Sequence, residues 1–185
     1  MAHWPDGDAL AGQVALAMAE RGDRAVILID GPSGAGKSTL ADALVAAWPG
    51  NVRPVLVRLD EIYPGWDGLE AASLAVTEDL LKPYRAGRAA GWRRFDWTTG
   101  RPAEWHDVDP VHPLVVEGCG SLSAASAFQS DVRVWVRADD AVRKYRALAR
   151  DGATFADHWD QWQRQWTDWC LREDPQSWAT LQLST

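Results

Sequence analysis

Eight residues constrain this chain more than any others. Gly31-Pro32-Ser33-Gly34-Ala35-Gly36-Lys37-Ser38 satisfies the pattern G-x-x-x-x-G-K-[ST] in full. The apolar run Ala25–Ile29 (AVILI) precedes it, and a helical pattern over Lys37–Trp48 follows, stopped by Pro49-Gly50. A short, unbroken apolar run is what a strand buried on both faces looks like. A glycine loop between strand and helix lets successive amides turn toward an anion, and the helix N-terminus adds free N–H groups and the positive end of its dipole. In that setting Lys37 reaches the β- and γ-phosphates of a nucleoside triphosphate, and Ser38 offers its hydroxyl to Mg²⁺. Gly31, Ser33, Gly34, Ala35, Gly36, Lys37, Ser38 and Thr39 are therefore the candidate phosphate-binding residues. The chain has only three lysines, Lys37, Lys82 and Lys144, so a lysine at the demanded position is not a by-product of composition. The competing reading is a glycine-rich turn with an incidental lysine.

The rest of the chain repeats the alternation of strand and helix. Asp8–Arg21 reads as a helix with Leu10, Val14, Ala17 and Met18 on one face. Val55–Leu59, Leu114–Val116, Val132–Val136 and Trp178–Leu183 read as further strands. Leu69–Ala86 reads as helix, split near Pro83, and Asp139–Arg150 and Phe155–Arg172 as two more. Trp92–Trp97 and Glu104–Val108 flank Thr98-Thr99-Gly100-Arg101 as a hairpin. Strands separated by helices imply right-handed crossovers and a mostly parallel, five-stranded sheet covered on both faces, an α/β three-layer fold. Ligands of such sheets bind beyond the carboxyl ends of the strands.

The residues at those ends are Asp30, Asp60 and Glu117. Asp60 follows VLVRL and Glu117 follows LVV, so both point to the edge that carries the glycine loop. Mg²⁺ takes a few oxygen ligands and keeps several waters, which Ser38, Asp60 and Glu117 can satisfy. Asp60 is also placed to take the proton of an acceptor hydroxyl. The alternatives are a helix cap for Asp60 and an ordinary loop carboxylate for Glu117. Asp30, adjoining the loop, reads as a brace.

Four stretches together resemble the uridine kinase group of P-loop kinases: GPSGAGKST (Gly31–Thr39), LDEIY (Leu59–Tyr63), RFDW (Arg94–Trp97) and LVVEG (Leu114–Gly118). The first is common to many NTPases, and the other three narrow the group. The likeness runs from about residue 25 to about 150. It implies a three-layer P-loop NTPase fold as a single domain over residues 1–185, with a substrate-side hairpin over 92–108 and a lid and helical region over 139–172. It implies a Mg²⁺-dependent small-molecule kinase using ATP, with Lys37 and Asp60 catalytic and Glu117 assisting the metal. Tyr63, Asp67, Phe95, Asp96 and Trp97 would then lie beside the acceptor, with a uridine-like nucleoside the first candidate. Phe95 stands where the family has Tyr, a family histidine is replaced near Gly100 and Arg101, and after Arg150-Asp151 no arginine appears before Arg164, so the lid is reduced.

Arg143, Arg146 and Arg150 share one helix face at i, i+3 and i+7, and Arg146 and Arg150 are the better candidates to close over phosphates. The alternative is a solvated face. Trp159, Trp162, Trp166 and Trp169 form one stripe, read first as core and second as an aromatic wall of the acceptor pocket. His3, His106, His112 and His158 show no metal-ligand spacing, and Cys119 and Cys170 form no metal-spaced pair.

A net charge of −7 argues against nucleic acid as partner. Neither a signal peptide nor an apolar run of about 20 residues is present, so neither a membrane nor secretion is expected, and a cytoplasmic location is. The partner expected is a small-molecule hydroxyl acceptor; homo-oligomerisation is left open. Two rivals remain: a nucleotide-switched regulatory NTPase, although the guanine-reading Asn-Lys-x-Asp segment is absent, and a binding module that exposes its tryptophans.

Overall fold

The computed structural model describes residues 7–185; His3 lies outside them. Helix α1 (Gly7–Arg21) leads into β1 (Val26–Asp30), whose five residues are all buried, as the apolar run predicts. Alternate side chains of β1 serve opposite faces. Ile27 and Ile29 pack with Leu10 and Val14 of α1 and with Leu40 and Leu44 of α2 (Lys37–Ala46). Val26 and Leu28 pack into a second core on the other face, with Leu69, Leu80, Tyr84 and the tryptophans Trp159, Trp162, Trp166 and Trp169. Each fully buried Leu or Ile contributes roughly 1.5–3 kcal/mol, so β1 is the spine of the molecule.

The remaining strands are β2 (Val55–Arg58), the hairpin β3 (Ala90–Asp96) and β4 (Arg101–Val108), then β5 (Leu114–Glu117), β6 (Val132–Arg137) and β7 (Leu181–Ser184). The main sheet has the order β2-β5-β1-β6-β7, and every neighbouring pair is parallel. Helices lie against both faces, which makes the three-layer α/β fold expected from the alternation of elements. The register sets the site: Ile29 pairs with Glu117, and Glu117 with Arg58, so three strands end level. The loops after them open on one edge.

Several elements differ in detail. The Leu69–Ala86 helix is continuous but changes pitch: α3 (Leu69–Ala75), a π-helical stretch over Val76–Leu81, and α4 (Lys82–Arg85). Pro83 explains the change, because its ring crowds the carbonyl four residues earlier and a widened turn relieves it. Helix α6 (Asp140–Ala156) runs on past Arg150, the end anticipated for it, but is interrupted at Gly152, with φ 66° and ψ −149°. Helix α7 (Trp159–Glu173) follows. A one-turn helix α5 (Ala124–Ala127), capped by Ser123, had no apolar period to announce it. The hairpin forms a separate two-stranded sheet with Gly100 at its turn in a left-handed conformation.

Candidate active site

The loop after β1 is held from beneath by Asp30. This carboxylate is fully buried and accepts N–H bonds from Gly31 (2.6 Å), Gly120 (3.1 Å) and Leu122 (2.8 Å). It ties the glycine loop to the segment after β5. Burial pushes its pKa up to about 7, against the pull of the three N–H groups and of Lys37. The loop is also pressed against α6. A Cβ on Gly34, whose φ is +80°, would lie 2.0 Å from the carbonyl oxygen of Arg143. Only glycine fits that contact.

Lys37 is buried, and its Nζ donates to the carbonyls of Gly31 (2.8 Å) and Pro32 (3.0 Å) and to Cys119 Sγ (3.4 Å). Burial works against its charge, but the acidic groups around it, Cys119, Glu117, Asp30 and Asp60, outweigh that and hold its pKa above the ordinary value. The ammonium is a fixed cation at the mouth of the loop.

A cavity of about 300 Å³ opens over the loop. Ser33, Gly34, Gly36, Lys37, Ser38 and Thr39 line one side, and Asp60, Glu117, Arg146 and Arg150 are on its wall too. Gly31 and Ala35 shape the loop from behind; the Ala35 amide donates to the Pro32 carbonyl. Glu117 is buried, accepts from Arg58 Nη1 at 3.1 Å, and lines the cavity together with Ser38. Burial raises its pKa, with Lys37, Ser38 and Arg58 acting the other way. Asp60 sits on the single 3-10 turn Leu59–Glu61 that follows β2, and its side chain is exposed. Ser38, Glu117 and Asp60 are hard oxygen donors on one cavity, the set Mg²⁺ takes when waters and phosphate complete its shell. Among the described residues no group of three or more His, Cys, Asp or Glu is arranged to hold a metal by protein ligands alone.

A second cavity, about 280 Å³, adjoins the first and shares Ser33, Asp60 and Arg150 with it. Its walls are aromatic: Tyr63, Trp66, Trp97, Phe155 and Trp162, with Asp151 beside Arg150. Tyr63 is pinned by its hydroxyl to the Cys119 carbonyl (2.8 Å) and meets Trp162 edge-on at 4.8 Å. Trp66 stacks with Phe155 and with His158. Trp97, on the hairpin turn, donates its indole N–H to the backbone carbonyl of Asp60 at 2.8 Å.

Of the five residues expected beside the acceptor, Tyr63 and Trp97 line this cavity. Asp67 instead accepts from Gln161 Nε2 at 2.6 Å, and Asp96 caps the hairpin turn through the N–H groups of Thr98 and Thr99. Phe95 packs edge-on against Trp97 and faces a separate groove beside α3. Arg143 turns away to Asp140 and Gln163, while Arg146 bonds Thr185 and Arg150 bonds Asp151. All four tryptophans of the α7 stripe are buried, with Trp166 stacked on Trp135. The stripe is core, and Trp162 serves the cavity wall as well. Asp151 and Phe155 reach the cavity across the break at Gly152, which no helical period foretells.

No family model and no curated protein matches this chain. Solved structures do. A possible uridine kinase from Bacillus stearothermophilus aligns with 94% of this chain and 98% of its own, at TM-score 0.60 and 16% identity. A candidate fructose transport system kinase from Silicibacter sp. TM1040 aligns with 94% and 97%, at TM-score 0.57 and 17% identity. D-glycerate 3-kinase from Cryptococcus neoformans var. grubii aligns with 80% and 78%, at TM-score 0.50 and 14% identity. With its parallel sheet, its glycine loop after the central strand and these neighbours, the chain carries the three-layer α/β fold of P-loop kinases.

Proposed function

We propose that this protein transfers the γ-phosphoryl group of ATP to a hydroxyl of a small molecule. One observation carries the reading: a glycine-loop cavity and an aromatic cavity meet at Asp60 and Arg150. A carboxylate at such a junction stands where an acceptor hydroxyl would face a terminal phosphate. Asp60 takes the hydroxyl proton as the acceptor oxygen forms its bond to phosphorus. The bond from that phosphorus to the bridging oxygen breaks, and ADP leaves. Lys37 and the loop amides hold the phosphates, and Arg146 and Arg150 offset charge on the transferred group. Ser38, Glu117 and Asp60 would hold Mg²⁺, which neutralises phosphate charge when bound. The aromatic walls exclude water and hold the acceptor by its flat or CH-rich face. A nucleoside, the acceptor suggested by the sequence resemblance, is one such molecule.

The test is ADP release across nucleosides, sugars, vitamins and amino alcohols, with Lys37→Ala as blank. Asp60→Asn is expected to lower kcat by ~10²–10⁴-fold, far more than it weakens ATP binding measured by calorimetry. An Asp60→Asn enzyme with near-normal kcat rejects Asp60 as base. Absence of any ATP binding by the unaltered protein removes the whole reading.

A further inference from the structure

The charges around the aromatic cavity narrow the acceptor, and we infer that it is an amino alcohol, carrying a protonated amine a few bonds from its reactive hydroxyl. The inference rests on the phosphoryl-transfer reading above. Two carboxylates, Asp60 and Asp151, line the cavity, and Arg150 is the only cationic side chain among the described residues that line it. Arg150 lies between them. Its Nε and Nη2 each donate to Asp151 at 2.7 Å, and Nη2 is 3.8 Å from Asp60. Both carboxylates therefore face one position, and the protein fills it with a cation of its own.

Arg150 also lines the phosphate cavity. A triphosphate there carries several negative charges and accepts a guanidinium in two-pronged fashion, so it competes with Asp151 for Arg150. Drawn toward the phosphates, Arg150 leaves Asp60 and Asp151 close together in a pocket walled by rings. Mg²⁺, where Ser38, Glu117 and Asp60 hold it, offsets the charge of Asp60, but Asp151 is left without its cation. A ligand ammonium restores the missing cation. The rings act in the same direction, since the faces of Trp66, Trp97 and Tyr63 attract a cation. An acidic acceptor meets the opposite: its charge adds to that of Asp151, whose arginine is shared with the phosphate cavity. Asp151 then holds the ammonium while Asp60 takes the hydroxyl proton. One guanidinium nitrogen reaches both carboxylates, so the two ligand groups are separated by a short carbon bridge, as in a vicinal amino alcohol.

The experiment uses two charge-matched sets: ethanolamine, ethylene glycol and glycolate; and D-glucosamine, D-glucose and D-glucuronate. ADP release is measured at pH 7 with ATP and Mg²⁺, against Lys37→Ala. The expected result is an amine with kcat/KM at least tenfold above its neutral counterpart in at least one set, and no turnover of either acid. Asp151→Asn brings that amine down to the level of the neutral member, and Asp151→Glu, which keeps the charge, retains part of the preference. Thermal melts of both variants check that the fold is kept. Failure of both sets to give an amine at least tenfold above its neutral member, or turnover of either acid, overturns the inference and leaves the kinase reading standing. So does the absence of any aminated member above the blank. A failure to bind ATP removes the kinase reading itself.

Discussion

Asp30 offers a sharp test of how burial and hydrogen bonding compete beneath the glycine loop. Its carboxylate is out of contact with water and is met by three backbone N–H groups. Desolvation wins, lifting the pKa from an ordinary 3.8 to about 7. Between those values the folded chain keeps a proton that the unfolded chain has released. Folding is thus favoured at low pH and loses stability as pH rises through about 4 to 7, levelling off above. At about 1.4 kcal/mol per pH unit, the full loss is about 4 kcal/mol. The isosteric Asp30→Asn variant is neutral at every pH and removes this dependence, while its amide, set against one of the N–H donors, imposes a constant offset. Urea unfolding of both proteins at pH 4.5, 5.5, 6.5 and 7.5 isolates the contribution of Asp30 in the difference between them. The expected difference shifts steadily in favour of Asn as pH rises. A flat difference, or one that shifts in favour of Asp, would mean that the three N–H donors and Lys37 hold the group ionised throughout, and the reasoning fails.

Three more outcomes follow from the geometry. Gly34→Ala forces a methyl against the Arg143 carbonyl at a positive φ, so the start of α6 must shift; strain of roughly 1–3 kcal/mol should appear as a lower melting temperature and weaker ATP binding by calorimetry. Trp97→Phe keeps an aromatic ring, smaller than indole, but removes the N–H held by the Asp60 carbonyl; a neutral hydrogen bond is worth about 1 kcal/mol, so kcat should fall about fivefold, with ATP affinity unchanged. Trp166→Ala empties a buried site stacked on Trp135 and should cost about 3–5 kcal/mol of stability in urea unfolding; a value near zero would place the stripe outside the core.

The fold was legible because its signals are local. An apolar run, a glycine loop and a capped helix each follow from a handful of neighbouring residues, and the level strand ends put Asp60 and Glu117 at one edge. The glycine-loop side of the candidate site was legible for the same reason. The aromatic side was legible only at Tyr63 and Trp97, because it is assembled from distant pieces. Trp66 comes from a loop after β2, Trp97 from the hairpin turn, and Asp151 and Phe155 from either side of a helix break. Spacing placed Arg143 with Arg146 and Arg150, but a cation–π contact with Trp159 and bonds to Asp140 and Gln163 hold Arg143 elsewhere. Asp67 and Asp96 had the right chemistry for a ligand, yet neither lines the aromatic cavity, and one oxygen of each is engaged, by Gln161 and by a turn. Sequence shows which atoms can bond, and the tertiary fold decides which are already bonded.

The internal bonds of Lys37 have a thermodynamic consequence. Two loop carbonyls and a sulfur already surround this ammonium. On the proposed reaction an arriving nucleotide would meet no idle cation: the Lys37 ammonium would exchange one set of acceptors for another. The net affinity is a small difference between two large terms, and the displaced carbonyls must find water or a new donor. On the proposed phosphoryl transfer, the nucleotide would be held less tightly than its contacts alone suggest, which suits release of ADP after every turnover.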